Sequence, residues 1–192
     1  MVKRREYPIE VSTYQSGRLH FAVGVSDSGK IVRILLPCET EEEVLAEISR
    51  EHPDFEVTAD HVDLAKTVSD AYHGKKVKFN LNTLELGSSS EAEDFTSKCS
   101  PVTSFERRVL LEVSKIPFGE VTTYKKISES LGTRGYRAVG TAIGKNPFPI
   151  IIPCHRVVKS DGGIGNYRGG VRMKREILKN EGIKIRDDKI II

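Results

Sequence analysis

The stretch Asn146-Pro147-Phe148-Pro149-Ile150-Ile151-Ile152-Pro153-Cys154-His155-Arg156-Val157-Val158 sets a cysteine between a proline and a histidine, directly after an apolar run. The run Ile150–Ile152 is expected to be a buried strand that delivers Cys154 to a site. Cysteine reacts as its thiolate, and its pKa falls beside an imidazolium or another positive group. Adjacent side chains seldom point at one another, so Cys154-His155 needs a turn or a bridging water to connect sulfur and ring. By itself the dipeptide is only suggestive. The chain has two further cysteines, Cys38 and Cys99. An odd number without close pairing argues against a disulfide framework, and the absence of a CxxC motif argues against zinc. Cys38 follows the apolar Ile34-Leu35-Leu36 and reads as a small core residue. Cys99 carries no assignment.

Upstream of this stretch, residues 122–145 have the pattern of a helix-turn-helix. Thr123 is placed to cap a short helix running through Ile127 to Leu131, and Gly132 suits the left-handed position that ends it. Thr133-Arg134 makes the turn. A second helix then spans about Gly135 to Gly144, lined by the small residues Ala138, Gly140, Thr141, Ala142 and Gly144. Small side chains permit close approach of a second surface, which is either DNA or simply another helix. Before this pair, Thr103 and Glu106 have capping-box spacing. Phe105, Val109, Val113 and Ile116 recur at helical intervals, so an amphipathic helix is expected over residues 104–115, closed by Pro117-Phe118-Gly119.

The first half reads as a small α+β unit with a short antiparallel sheet. Leu19, Phe21, Val23 and Val25 alternate as in a half-buried strand, and Asp27-Ser28-Gly29 turns the chain into a second strand, Ile31 to Leu36. Residues 8–15 are a third strand. Val44, Leu45 and Ile48 mark one short helix; Leu64, Val68, Ala71 and Tyr72 mark another, stopped by Gly74. The polar stretch from Gly87 to Pro101 reads as a linker. The expected division is therefore an α+β domain over 1–90, a linker over 91–101, and a mostly helical domain over 102–192. His20, His52, His61 and His73 have no ligand spacing, and no metal is expected.

Charge divides the same way. Residues 1–100 hold 12 Lys and Arg against 18 Asp and Glu; residues 101–192 hold 18 against 9. An acidic first half and a basic second half suggest that only the second meets a polyanion. The longest apolar runs, Ile150–Ile152 and Ile190–Ile192, are far too short to span a bilayer. The basic start, Met1 to Glu6, leads into no apolar segment, so a signal peptide is not expected. A cytoplasmic protein, nuclear if eukaryotic, is the expectation, without membrane association and as a monomer.

Pro153-Cys154-His155-Arg156-Val157, with Asn146-Pro147 before it and Gly165-Asn166-Tyr167-Arg168-Gly169-Gly170 after it, resembles the O6-alkylguanine-DNA alkyltransferase family. Gly119-Glu120-Val121-Thr122-Thr123-Tyr124 and Arg137-Ala138-Val139-Gly140 match the same family in the same order. The resemblance runs from about Phe105 to Gly182; the first half shares only size and α+β character.

The resemblance implies a single-turnover repair reaction without a cofactor. In it, Cys154 takes the alkyl group from O6-alkylguanine, and less well from O4-alkylthymine, in double-stranded DNA bound through the minor groove. Arg137 would fill the space of the extruded nucleotide, because the O6 substituent is unreachable in a stacked base. Glu181, His155 and a water would relay the thiol proton, Tyr124 would donate to guanine N3, and Asn146 would hold the turn before the active-site strand. The carbonyls of Cys154 and Val157 would accept from the guanine amino group, with Tyr167 and Gly169 in the loop closing the pocket. Lys125, Arg134, Lys145, Arg168 and Arg172 would meet phosphates. Arg168 departs from the small residue of several relatives, and either narrows the pocket or reaches outward. Three rival readings share some of these features: a base-flipping sensor that does not react, a cysteine hydrolase using Cys154, His155 and Glu181, and a helix-turn-helix regulator.

Overall fold

A computed structural model describes residues 9–87 and 102–191. The basic start, most of the expected linker and Cys99 lie outside the described residues. The chain divides into two compact units, one of residues up to Ser69 with Lys78–Thr103, the other of Asp70–Val77 with the chain from Ser104.

The first unit is built on three consecutive strands, β1 (Ile9–Ser16), β2 (Leu19–Ser26) and β3 (Ile31–Cys38). They pair antiparallel, and β4 (Phe55–Val57) adds to β1 in parallel, giving the sheet order β3-β2-β1-β4. The parallel edge strand was not legible in the sequence. The alternation in β2 suggests one buried face, yet Phe21 through Val25 are all buried. Its second face carries only Ala22 and Gly24, so α1 (Glu41–Ser49) packs close enough for Ile48 to cover them. Thr40 and Glu43 close that helix with a reciprocal capping box. Ile9, Val11, Ala22, Val32, Leu35, Val44 and Ile48 form the core here, with Cys38 packed against its margin.

The helix α2 (Val62–Tyr72) ends at Gly74, whose φ of +87° is the left-handed conformation that L side chains avoid. A Cβ at Gly74 would also stand 2.2 Å from the Asn180 carbonyl oxygen, so close approach demands glycine a second time.

In the second unit, α3 (Ser104–Val113) buries Val109, Leu110 and Val113. Phe105, expected on that face, is instead exposed at 37%, while Glu106 is buried. The apolar stripe starts one turn later than the spacing suggests. Next come β5 (Thr122–Thr123), α4 (Tyr124–Ser130) and α5 (Tyr136–Gly144). Thr123 accepts from the Lys126 N–H at 3.1 Å, capping α4 as its sequence implies. At the other end, Gly132 with φ +66° and the bonds Gly132 N→Glu129 O and Thr133 N→Ser128 O form a Schellman closure. These local devices set the helix-turn-helix. The unit is completed by β6 (Val157–Val158), parallel to β5, by α6 (Gly170–Asn180), and by a small hairpin of β7 (Ile185–Arg186) and β8 (Lys189–Ile190). The α+β class expected from the sequence holds. No helix among the described residues is long and apolar enough to cross a membrane.

Candidate active site

Ile150–Ile152 is not a strand. The segment is a tight turn closed by Ile152 N→Phe148 O at 2.9 Å, with Ile150 at φ +73°. A β-branched residue in the left-handed region is strained, of order 1–3 kcal/mol, and persists only where surroundings impose it. Here the Asn146 side chain does so. Buried between α5 and the turn, it accepts from the Phe148 N–H at 3.0 Å and donates to the Ile152 carbonyl at 2.9 Å. Apolar periodicity gives no sign of a turn pinned by a side chain. The chain then passes into a single 3-10 turn, Cys154–Arg156, that carries the cysteine.

Cys154 is 7% exposed. Burial pushes its thiol above the ordinary range, and the Asn146 amide, the Lys174 ammonium, its own backbone and Arg168 pull the other way. Every polar neighbour named favours the anion. Tyr124, at the first turn of α4, has its hydroxyl pushed up by burial and then by the neighbouring Cys154. Its ring lies between α5 and the following loop: a Cβ on Gly140 would be 3.9 Å from it and one on Gly165 3.6 Å. Tyr167 in that loop has a buried hydroxyl without an ordinary hydrogen bond to a described residue. Burial, then Cys154 and Tyr72, raise its pKa well above the usual value. Val157 is buried directly after the turn, and Gly169 precedes α6 at the far end of the loop.

Behind the cysteine, His155 and Glu181 are both buried, with His155 Nε2 3.0 Å from Glu181 Oε1. Glu181 is the C-cap of α6, where the helix dipole disfavours a carboxylate. Arg156 offsets this with a fork, Nε→Oε2 at 2.9 Å and Nη2→Oε1 at 2.7 Å, while its Nη1 donates to the Ile116 carbonyl at 2.7 Å. Burial raises the Glu181 pKa, but His155 and Arg156 outweigh it and hold the carboxyl at about 2. An ionised carboxylate only accepts, so His155 Nε2 is the donor and Nδ1 keeps its lone pair. Burial lowers the His155 pKa against the pull of Glu181, leaving the ring neutral at pH 7. Its Nδ1 is buried and has no protein partner among the described residues. Arg156 escapes notice in the sequence, because its partner lies 25 residues away.

The structure thus brings together Cys154, His155, Glu181, Asn146, Tyr124, Tyr167 and Val157. It also adds Lys174, to which the sequence reading assigned nothing. The basic residues are spread differently. Arg134, Arg137, Arg168 and Arg172 are exposed. Lys125 sits 3.8 Å from Glu129 in an exposed pair, and Lys145 is held at 2.8 Å by the buried Glu106. Among the described residues no cluster of His, Cys, Asp or Glu could hold a metal ion.

Residues 104–183 match the family described as 6-O-methylguanine DNA methyltransferase, DNA binding domain. A methylated-DNA–protein-cysteine methyltransferase of Methanothermobacter thermautotrophicus is 39% identical over 58% of this chain and 56% of its own length. One of Saccharolobus solfataricus is 56% identical over 42% of this chain and 52% of its own. The matched stretch therefore spans about half the length of these curated relatives. Two solved structures are similar over most of the chain. The Mycobacterium tuberculosis OGT in complex with DNA has a TM-score of 0.66 at 25% identity, covering 90% of this chain and 92% of that one. The O6-methylguanine-DNA methyltransferase of Pyrococcus kodakaraensis has a TM-score of 0.65 at 26% identity, covering 91% and 99%. The resemblance read from the sequence is borne out.

Proposed function

We propose, taking this family likeness as premise, that the chain repairs DNA by moving the alkyl group of O6-alkylguanine onto Cys154, once per molecule. The observation that carries the reading is the buried set Cys154, His155 and Glu181, with the imidazole kept neutral by burial and its Nε2–H tautomer set by an ionised carboxylate. In this mechanism His155 Nδ1 takes the thiol proton through a bridging water, and Glu181, held in place by Arg156, stabilises the imidazolium that forms. The thiolate attacks the alkyl carbon; the S–C bond forms as the C–O6 bond breaks, and the electron pair leaves with guanine. Tyr124 donates to guanine N3 and so improves the leaving group. The carbonyls of Cys154 and Val157 accept from the guanine amino group, and Tyr167 and Gly169 close the pocket. A thioether is stable to water, which makes the protein its own co-substrate.

Double-stranded DNA would lie along the exposed face of α5 in the minor groove, where Ala138, Thr141 and Gly144 present no bulk. Arg137 supports the extruded base, and Arg134, Arg168 and Arg172 meet phosphates. Lys125 and Lys145 contribute less, being held by Glu129 and Glu106. O4-alkylthymine is the poorer substrate, and the protein acts as a monomer in the cytoplasm, or in the nucleus if the source is eukaryotic. The test is a mass spectrum of the protein after incubation with a duplex containing O6-methylguanine. One methyl group on the peptide carrying Cys154, with no further turnover, is the expected result. Repeated turnover favours the hydrolase reading, and binding without mass gain favours the sensor.

A further inference from the structure

The loop between β6 and α6 closes the proposed pocket, yet of the ten residues from Asp161 to Gly170 five are glycine. Glycine gives a chain more freedom than any other residue, so such a loop keeps one shape only where something outside it imposes one. At the far end, Gly170 N donates to the Tyr167 carbonyl at 3.0 Å. At the near end, Lys159–Gly163 form a tight turn, with Lys159 N→Gly163 O at 2.9 Å and Gly162 N→Lys159 O at 3.1 Å. Beyond that turn the restraint comes from the hairpin β7–β8. Ile164 N donates to the Asp188 carbonyl at 3.1 Å and Ile190 N to the Gly162 carbonyl at 2.9 Å, so Gly163 and Lys189 are antiparallel neighbours. The hairpin lies after the stretch that matches the family, residues 104–183. Its two-residue turn, Asp187-Asp188, has φ +48° and +59°, the geometry that suits the twist of paired strands and that aspartate tolerates. Ile191 N→Lys184 O at 2.9 Å closes its base, and an ion pair from Asp188 to Arg175 anchors it on α6. What the hairpin grips is next to the site. Ile164 is buried, a Cβ on Gly165 would be 3.6 Å from the Tyr124 ring, and Tyr167 neighbours Cys154.

We infer that the hairpin β7–β8 is a strap that fixes the pocket loop against Tyr124, and that it thereby sets the size of alkyl group Cys154 accepts. The backbone groups of Ile190, Asp188, Gly162 and Ile164 are its fastenings. A methyl group adds little to the outline of guanine and fits with the loop in place. A benzyl group needs the wall at Ile164-Gly165 to withdraw from Tyr124. Withdrawal breaks the two hydrogen bonds to the hairpin, so its cost falls on bulky substrates and spares small ones, which is discrimination by alkyl size.

This inference rests on the repair reading, so its test has one arm without DNA. Hydrogen–deuterium exchange over residues 159–168 is compared in the parent and two variants of the full chain. Ile190→Pro removes the donor to Gly162, and Asp187→Pro breaks the turn, because a proline ring cannot take φ +48°. Exchange in this segment is expected to rise about tenfold in both, and to stay at the parent level in Ile190→Val, which keeps the N–H. Exchange across α3, α4 and α5 is expected to be unchanged; a rise there as large as in the loop makes the hairpin a general stabiliser and overturns the inference. In the second arm, transfer is timed from duplexes carrying O6-methylguanine or O6-benzylguanine. The ratio of benzyl to methyl rates is expected to rise about threefold in both proline variants and not in Ile190→Val. Unchanged loop exchange overturns the strap, and raised exchange with an unchanged ratio overturns the size filter. A parent protein that transfers neither group overturns the repair reading instead, and the exchange arm still decides the strap.

Discussion

Cys154 is a buried free thiol and Cys38 a partly buried one, and burial is the main influence raising each pKa. They differ in what surrounds them. Cys38 ends β3 at the margin of the first unit's core, its sulfur 3.8 Å from its acceptor, the Leu36 carbonyl. Its charged neighbours are Glu47 and Glu43 of α1, which raise the pKa further. Around Cys154 the polar neighbours are an amide, an ammonium and a guanidinium, which lower it. One thiol has every influence against ionisation; the other has one cost and several compensations. Burial alone does not separate a core cysteine from the proposed nucleophile. The sign of the neighbouring charges does.

The sharpest way to break this contrast is to remove each sulfur in turn. Cys154→Ser is expected to abolish methyl transfer while keeping lesion-DNA binding, because a hydroxyl is a poor nucleophile at neutral pH. Cys38→Ser should leave the yield at one methyl per protein. Counting labelled methyl groups on each variant checks both, and transfer surviving in Cys154→Ser would end the assignment.

Arg137→Ala asks whether the second site's advantage is chemical or depends on delivering the base. On duplex DNA transfer should slow on the order of a hundredfold, the weight of a few kcal/mol of unstacking. On the free base O6-benzylguanine the rate should hardly change. Equal losses on both would place Arg137 in folding or chemistry instead.

The next effect is on stability and its pH dependence. Glu181 is held at about 2 against an ordinary 4.5, and His155 lies below its ordinary 6.5. Both folded values are depressed, so the stability they supply is present above the unfolded pKa and is lost as pH falls. The loss begins near pH 6.5 with His155 and steepens below 4.5 with Glu181. For Glu181 it amounts to about 3 kcal/mol. Glu181→Gln should lose a similar amount at pH 7, since Arg156 then lacks its buried partner, and should melt with a flatter dependence below pH 4.5. Melting curves from pH 7 to pH 4 test this; parallel curves for the two proteins would count against it.

The smallest effect sharpens the comparison from the other side. Glu47→Gln removes one of the carboxylates opposing ionisation of Cys38. Its rate with a thiol reagent at pH 8 should rise by about twofold, the scale of a partly screened charge. No change would mean that burial alone quiets this cysteine.

Where a feature rests on residues close in the chain, the sequence was enough. Thr123 capping α4, Gly132 closing it and the Asp27-Ser28-Gly29 turn each depend on bonds within a few residues, and β1 to β3 each pair with the next strand in sequence. The family motifs also marked Cys154, His155, Asn146, Tyr124 and Glu181 before any geometry was known. What the tertiary structure alone decided is everything that needs a distant partner. The Ile150 turn exists because the Asn146 side chain binds both of its ends, although apolar spacing reads as strand. Gly24 is buried because Ile48 reaches it from another element. Arg156 is committed to Glu181 across 25 residues, and Lys174 to Val157 across 17. A basic side chain carries no local mark of whether it faces water or a buried anion, because that depends on which element packing lays beside it.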